Sequence, residues 1–132
     1  MRLLRFVLLG GSVLGAAAVL LAHHSMDASY LRAVETEVRG NVTKVEYKNP
    51  HPRFWVDVAQ PGGDTVSWEF ELGSVSDLPA KGWTRSTLRE GDVITVAAHP
   101  AKNGSPRGSV LWVILPGGRK IENYDRWNEP FR

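Results

Sequence analysis

The chain has no cysteine. Disulfides, thiolate metal sites, iron–sulfur clusters and a cysteine nucleophile are therefore excluded, and histidine is left to carry any transition-metal chemistry. The familiar catalytic signatures are missing too. There is no G-x-S-x-G, no Walker loop, no G-x-G-x-x-G and no H-E-x-x-H among the 132 residues. No internal repeat or low-complexity segment breaks the chain. It is 42% hydrophobic and 23% charged, too apolar for a disordered chain and ordinary for one globular domain. The net charge of +2 and pI near 9.2 look basic, but the excess belongs to one segment.

That segment is residues 1–22. Arg2 and Arg5 precede an apolar run over 6–21, which ends abruptly at His23-His24-Ser25. A basic start followed by a short, glycine-softened apolar run is the pattern of a secretory signal peptide. Ala22 suits the residue before the cut, and Leu20 is acceptable at −3. An uncleaved anchor is the alternative, since 20 residues at ~1.5 Å each can span a bilayer. Both readings leave Arg2 and Arg5 inside and the remaining chain outside the cytoplasm, with a periplasmic localisation expected. No second apolar span follows. The membrane is then met only through this segment, and only if it is uncleaved. Removing 22 of the 132 residues leaves 110, with 14 basic and 14 acidic side chains and no net charge. That balance argues against a nucleic-acid partner. A chain of this size can still bury one core.

The body reads as strands. Residues 38–47 are β-rich, but the alternation of Val38, Val42, Val45 and Tyr47 slips near Thr43-Lys44. Together with Gly40, the slip predicts a bulge or strong coiling. Asn49-Pro50-His51-Pro52 breaks this strand. Phe54, Val56 and Val58 alternate with polar positions and with Trp55. Val66, Trp68, Phe70 and Leu72 do the same around Ser67, Glu69 and Glu71. Over 73–91 Ser76 can cap a short helix, with Asp77 and Pro79 in its first turn and Gly82 at its end. Trp83 and Leu88 are expected to plug the barrel beneath it. Strands follow over 93–98, 109–115 and around 119–121; the second is apolar from Val110 to Leu115, as burial on both faces requires. The expected architecture is mainly β: a five- to six-stranded OB-like antiparallel barrel with one short helix between strands 3 and 4. Another small antiparallel barrel or sandwich is the alternative. The organisation is a signal segment 1–22, an N-terminal extension 23–37, the barrel 38–121 and an aromatic tail 122–132. The tail carries Tyr124, Trp127 and Phe131 and either docks on the barrel or frays.

Several short motifs occur in fixed order: Ala22-His23-His24-Ser25, Asn49-Pro50-His51, Trp68-x-Phe70-Glu71-x-Gly73-Ser74, Gly82-Trp83, Gly91-Asp92 and Gly117-Gly118-Arg119. The set resembles a family of small exported bacterial proteins defined only as a domain of unknown function, over Ala22 to about Ile121. Pro52 after His51 and the aromatic tail depart from the family pattern. The resemblance implies export and a small β-fold, and implies no reaction.

Individual residues offer candidate sites. If cleavage follows Ala22, the His23 amine and ring can chelate one metal, and His24 or His51 can complete a planar nitrogen set that favours Cu(II). If it falls one residue earlier, His24 becomes the third residue of a different square-planar copper site. An uncleaved chain has neither. Copper is thus the one cofactor these residues suggest. His51, stiffened between two prolines, suits ligand binding; a plain loop histidine is the alternative. In an OB-like barrel its loop and the 101–108 loop, with Lys102, Asn103 and Arg107, flank the usual binding face. Glu69 and Glu71 share one strand face, as a carboxylate pair, as partners to His51, or as a solvated surface. Trp55 lies off the apolar stripe and can stack on a sugar or other flat ligand, or pack beneath a loop or the tail. Trp68 and Trp112 read as core, and His99 as structural. The leading expectation is a non-enzymatic periplasmic binding or accessory module, its ligand a small molecule, a glycan or a periplasmic protein. A copper-binding protein comes second. A hydrolase using Glu71 and His51, of unknown substrate, comes third.

Overall fold

One strand belongs to two sheet pairings at once, and the barrel follows from that. The computed structural model describes residues 28–123. Strand β1, Thr36–Glu46, runs antiparallel to β4, Val93–Pro100, along its first half. Along its second half it runs antiparallel to β2, Arg53–Ala59. The register slips between Val42 and Lys44, at the place where the apolar alternation slips in the sequence. A residue inserted there bends the strand and raises its twist. Gly40 makes the bend possible. A Cβ at this position would overlap the carbonyl oxygen of Asp57 and lie 2.8 Å from Cγ1 of Val56.

Strand β2 continues through a Pro61–Asp64 turn into β3, Thr65–Glu71. Strand β5, Arg107–Ile114, pairs antiparallel with β4 and parallel with β3, where Glu69, Phe70 and Glu71 face Arg107, Gly108 and Ser109. The ring β1-β2-β3-β5-β4 is closed, and β6, Lys120–Glu122, extends it on β5. This is the OB-like barrel the sequence predicts, with one correction. The closure is parallel, so the barrel is mixed rather than wholly antiparallel. The closing point is again a glycine. Gly108 faces both Pro100 and Phe70, and a Cβ there would lie 2.7 Å from that of Ala98.

Alternation fills the interior. Phe54 and Val56 of β2 and Phe70 of β3 are fully buried with Val42, Ile94, Val96, Val110 and Val113. Phe54 stacks on Phe70, which stacks in turn on Trp68, with ring centroids 5.4 and 5.8 Å apart. Such pairs add about 0.5–1.5 kcal/mol beyond their burial. Leu78, Trp83 and Leu88 are buried in the same core, the last two as expected. The Trp83 indole N–H donates to the Glu122 carbonyl at 2.8 Å, so the plug is tied to the last strand.

The connection between β3 and β4 holds a single 3-10 turn, Leu78–Lys81, in place of a longer helix. Asp77, not Ser76, is its first flanking residue, and no side chain caps it. The Ser76 hydroxyl instead lies against Ser74 and Asp77 side chains. Gly82 ends the turn in the left-handed conformation at φ 87°, as its position predicts. Strand β5 is buried on both faces at Val110 and Leu111, because a bulge opposite Ala97 and Ala98 breaks the alternation there. Trp112, expected in the core, is instead half-buried on the outer face, with the Lys120 ammonium 4.6 Å above its ring. The barrel's bonding runs one residue past β6. The buried Asn123 side chain donates to the Val110 carbonyl at 2.8 Å and accepts the Gly73 N–H at 3.0 Å. The tail beyond it, with Tyr124, Trp127 and Phe131, lies outside the described residues.

If the close approach at Gly40 sets the coil of β1, Gly40→Ala lowers unfolding stability by ~3 kcal/mol or prevents folding. Gly62→Ala, with nothing within 4 Å of the new Cβ, changes it by under ~0.5 kcal/mol. Urea unfolding of the two variants checks this; equal losses would refute it.

Candidate functional site

Register places the outward side chains of four strands in rows. Lys44 of β1 faces Trp55 of β2, which faces Glu69 of β3, which faces Arg107 of β5. One step along, Glu46 faces Arg53, which faces Glu71, which faces Ser109. These positions alternate with the core residues Phe54, Val56 and Phe70, so all of them lie on the outside. The structure thus brings Trp55, Glu69, Glu71 and Arg107 onto one surface.

The charges there are paired. Arg107 Nη2 and Arg53 Nε converge on the same Glu69 oxygen, at 3.2 and 3.6 Å. Arg53 Nη2 also lies 3.9 Å from Glu71 Oε2. Lys44 and Lys48 hold Glu46 at 2.7 and 3.1 Å. Hydrogen bonds from Lys44 and then Lys48 keep the Glu46 carboxyl below the usual carboxylate range. The Lys44 ammonium sits 4.6 Å above the Trp55 ring. Arg53 and Arg107 remain 44% and 41% exposed, so their pairing adds little to stability and leaves them accessible to a ligand.

Glu71 differs from Glu69 because it is covered. Residues 28–35 form a strap over the end of β4. Leu31 N–H donates to the Pro100 carbonyl, Lys102 N–H donates to the Ser29 carbonyl, and Tyr30 bridges Ala101. His99 Nδ1–H donates to the Val34 carbonyl at 2.8 Å and is buried, which is the structural role expected of it. The strap buries Tyr30, whose hydroxyl donates to Glu71 Oε2 at 3.0 Å. Burial, then the negative charge of Glu71 and the bond to it, push the Tyr30 phenol well above its ordinary range. The sequence gives Tyr30 no functional signal beyond its being the lone aromatic of the 23–37 extension.

The loop between β1 and β2 carries His51. The Asn49–Pro50 peptide is cis. Pro52 is buried, and its carbonyl accepts the Leu72 N–H, while the Pro50 carbonyl accepts that of Val75. The loop is thereby sewn to the end of β3. His51 Nδ1–H donates to the Leu72 carbonyl at 3.1 Å. Glu46, Lys48, Asn49, Pro50, His51 and Arg53 line an open depression of about 190 Å³, smaller than a typical small-molecule pocket. Glu71 is bonded to Tyr30 and His51 to a backbone carbonyl; among the described residues no bond joins the two. Lys102 stands on the β4–β5 loop, with its backbone N–H given to the Ser29 carbonyl of the strap. Asn103 Oδ1 accepts from the Ser105 backbone and hydroxyl within the same loop. His23 and His24 lie outside the described residues, among which no group of three or more potential metal ligands occurs.

The Tyr30–Glu71 bond predicts a measurable coupling. Tyr30→Phe leaves a buried carboxylate without its donor and costs about 1–3 kcal/mol. A Tyr30→Phe, Glu71→Gln cycle shows a coupling energy of at least ~0.5 kcal/mol. The phenol is raised in the folded state, so its stabilisation is complete below pH ~10 and falls as pH climbs above the unfolded value. Denaturation between pH ~8 and ~11 therefore shows the wild type losing stability faster than Tyr30→Phe above pH ~10. Parallel curves would dismiss the assignment.

No curated protein matches the chain. Among solved structures it is similar to the mitochondrial single-stranded DNA-binding protein Rim1 of S. cerevisiae. In one crystal form the identity is 10%, over 63% of this chain and 93% of that one, with a TM-score of 0.49. In another it is 13%, over 70% and 98%, with the same score. TiaS, in a complex with an isoleucine tRNA and ATP, matches at 18% identity over 61% of this chain and 18% of that one, with a TM-score of 0.45. Such distant likenesses carry nothing about what this chain binds. The family model for DUF6152, a family of unknown function, spans residues 12–110, and the chain belongs to that family.

Proposed function

We propose that this protein is an exported, non-enzymatic binding module that meets its ligand on the outer face of β1, β2, β3 and β5. The observation that carries the reading is the row Lys44, Trp55, Glu69 and Arg107. It combines an aromatic ring, a carboxylate, an ammonium and the half-exposed Arg107 guanidinium. The surface corresponds to the strand 2–3 face that OB barrels use for binding, beside the loop after strand 1. Export is supported by Arg2, Arg5 and the apolar run over 6–21. Among the described residues no helix is long and apolar enough to cross a membrane. A hydrolase built on Glu71 and His51 draws no support from the geometry, because each is bonded elsewhere.

A second reading, copper binding, is favoured by one observation. With Nδ1–H given to the Leu72 carbonyl, neutral His51 has its lone pair on Nε2. A backbone carbonyl holding the other ring nitrogen is the usual support of a metal-ligating histidine.

Fractionation of a bacterial host, with N-terminal sequencing of the recovered protein, tests export. A periplasmic species beginning at His23 is expected; a full-length cytoplasmic species overturns the reading. Cu(II) titration of that species against His23→Ala and His51→Ala tests the second reading. Affinity at least tenfold weaker in both variants is expected, and unchanged affinity in either removes that residue from the site.

A further inference from the structure

We propose that the ligand of this face is a neutral saccharide, with one sugar ring stacked on Trp55 and its hydroxyls bridging Glu69 and the guanidinium groups of Arg53 and Arg107. This rests on the reading of the face as a binding surface and names what it binds. The first argument is charge. Lys44, Lys48, Arg53 and Arg107 each lie within 4 Å of a carboxylate oxygen of Glu46 or Glu69. Glu46, Glu69 and Glu71 each have a basic side chain within 4 Å. A surface for a polyanion such as single-stranded nucleic acid needs a positive groove and successive aromatic platforms. Here a carboxylate sits at the centre of the row, and one aromatic ring faces outward from it. A polyanion would bring its own charges against the Glu46 and Glu69 carboxylates, and a neutral ligand does not.

The second argument is hydrogen-bond geometry. A sugar presents adjacent hydroxyls, each a donor and an acceptor. Glu69 is an acceptor with a guanidinium at 3.2 Å on one side and another at 3.6 Å on the other. A pair of neighbouring hydroxyls can donate to the carboxylate and accept from an arginine at the same time. Each guanidinium has five N–H donors; Glu69 accepts one from Arg107, and Arg53 stands at ion-pair distance from Glu69 and Glu71. Trp55 is the cross-strand neighbour of Glu69, so its ring lies beside this donor–acceptor set, where the apolar C–H face of the sugar can rest.

Lys44 lies over that ring and must move for stacking to occur. The displacement is cheap. An exposed cation–π contact is weak, and Lys44 retains Glu46 at 2.7 Å. From there its ammonium can donate to a hydroxyl at the rim of the ring.

The test is an array of neutral oligosaccharides probed with the full chain, with hits titrated calorimetrically and oligo(dT) titrated as the polyanion. The expected result is a neutral hit whose affinity falls at least tenfold in Trp55→Ala and in Glu69→Gln. Trp55→Phe, which keeps a stacking ring, recovers most of it, and Trp112→Ala leaves it unchanged. Raising salt from about 50 to about 500 mM should change it less than threefold, since no counterions are released. Urea unfolding of each variant separates a lost contact from a lost fold. Absence of any neutral hit overturns the saccharide assignment. So does salt-sensitive oligo(dT) binding that is lost in Trp55→Ala, although that result keeps the face as the binding surface. Hits that survive both Trp55→Ala and Glu69→Gln overturn the face and the saccharide together.

Discussion

Every pairing in the barrel depends on β1 lying against β4 and β2 in succession. A flat strand cannot do this. The turn from one neighbour to the other is made by the extra residue between Val42 and Lys44 and by the missing side chain of Gly40. At Gly40 the backbone of β2 comes too close for any Cβ. Once β1 is coiled, β2 and β3 follow it round by hairpin pairing, and β4 carries β5 from the other side. The two ends then meet at Gly108, which sits between Ala98 and the Phe70 ring. Two glycines at close approaches thus fix the curvature at its start and its closure.

The outer face is a consequence of the same pairing. Residues Lys44, Trp55, Glu69 and Arg107 come from four strands and are spread over more than sixty positions in sequence. Only the register of three strand pairings puts them in line. Glu69 and Glu71 are two residues apart on one strand and end in different environments. Glu69 is shared by two half-exposed arginines, while Glu71 lies under the strap with Tyr30 bonded to it. The difference comes from the polypeptide that crosses one of them and not the other. The strap in turn is held by backbone bonds to the Pro100–Lys102 corner, so the burial of Glu71 depends on the end of β4.

The parts of this arrangement that were legible in the sequence are those carried by short-range patterns. Alternation of Phe54, Val56 and Val58, and of Trp68 and Phe70, gave two strands with the correct inner face, because side chains in a strand alternate by geometry. The slip near Thr43-Lys44 located the bulge, since an inserted residue must break that alternation. Gly82 marked the end of the turn, and Trp83 and Leu88 were placed in the core. Trp112 was misplaced because an apolar run such as 109–115 has no phase of its own. Its orientation is set by the bulge opposite Ala97 and Ala98 and by the short edge strand beyond it. Ser76 was misplaced as a cap because the segment makes one turn and starts a residue later. Tyr30 was missed because its partner lies 41 positions away, and Asn123 because it bonds a carbonyl 13 positions away.

The sequence alone determined the strand pattern, the bulge, the plug and the family, since each is written in neighbouring residues or in ordered motifs. It also determined which side chains lie opposite the apolar stripes, and so which could face a ligand. It did not determine the parallel closure of β3 on β5, the strap over Glu71, or the sharing of Glu69 between Arg53 and Arg107. These are contacts between segments far apart in the chain. Their existence depends on how far β1 coils and where the two ends of the sheet meet. No local preference encodes that distance, and only the closed barrel decides it.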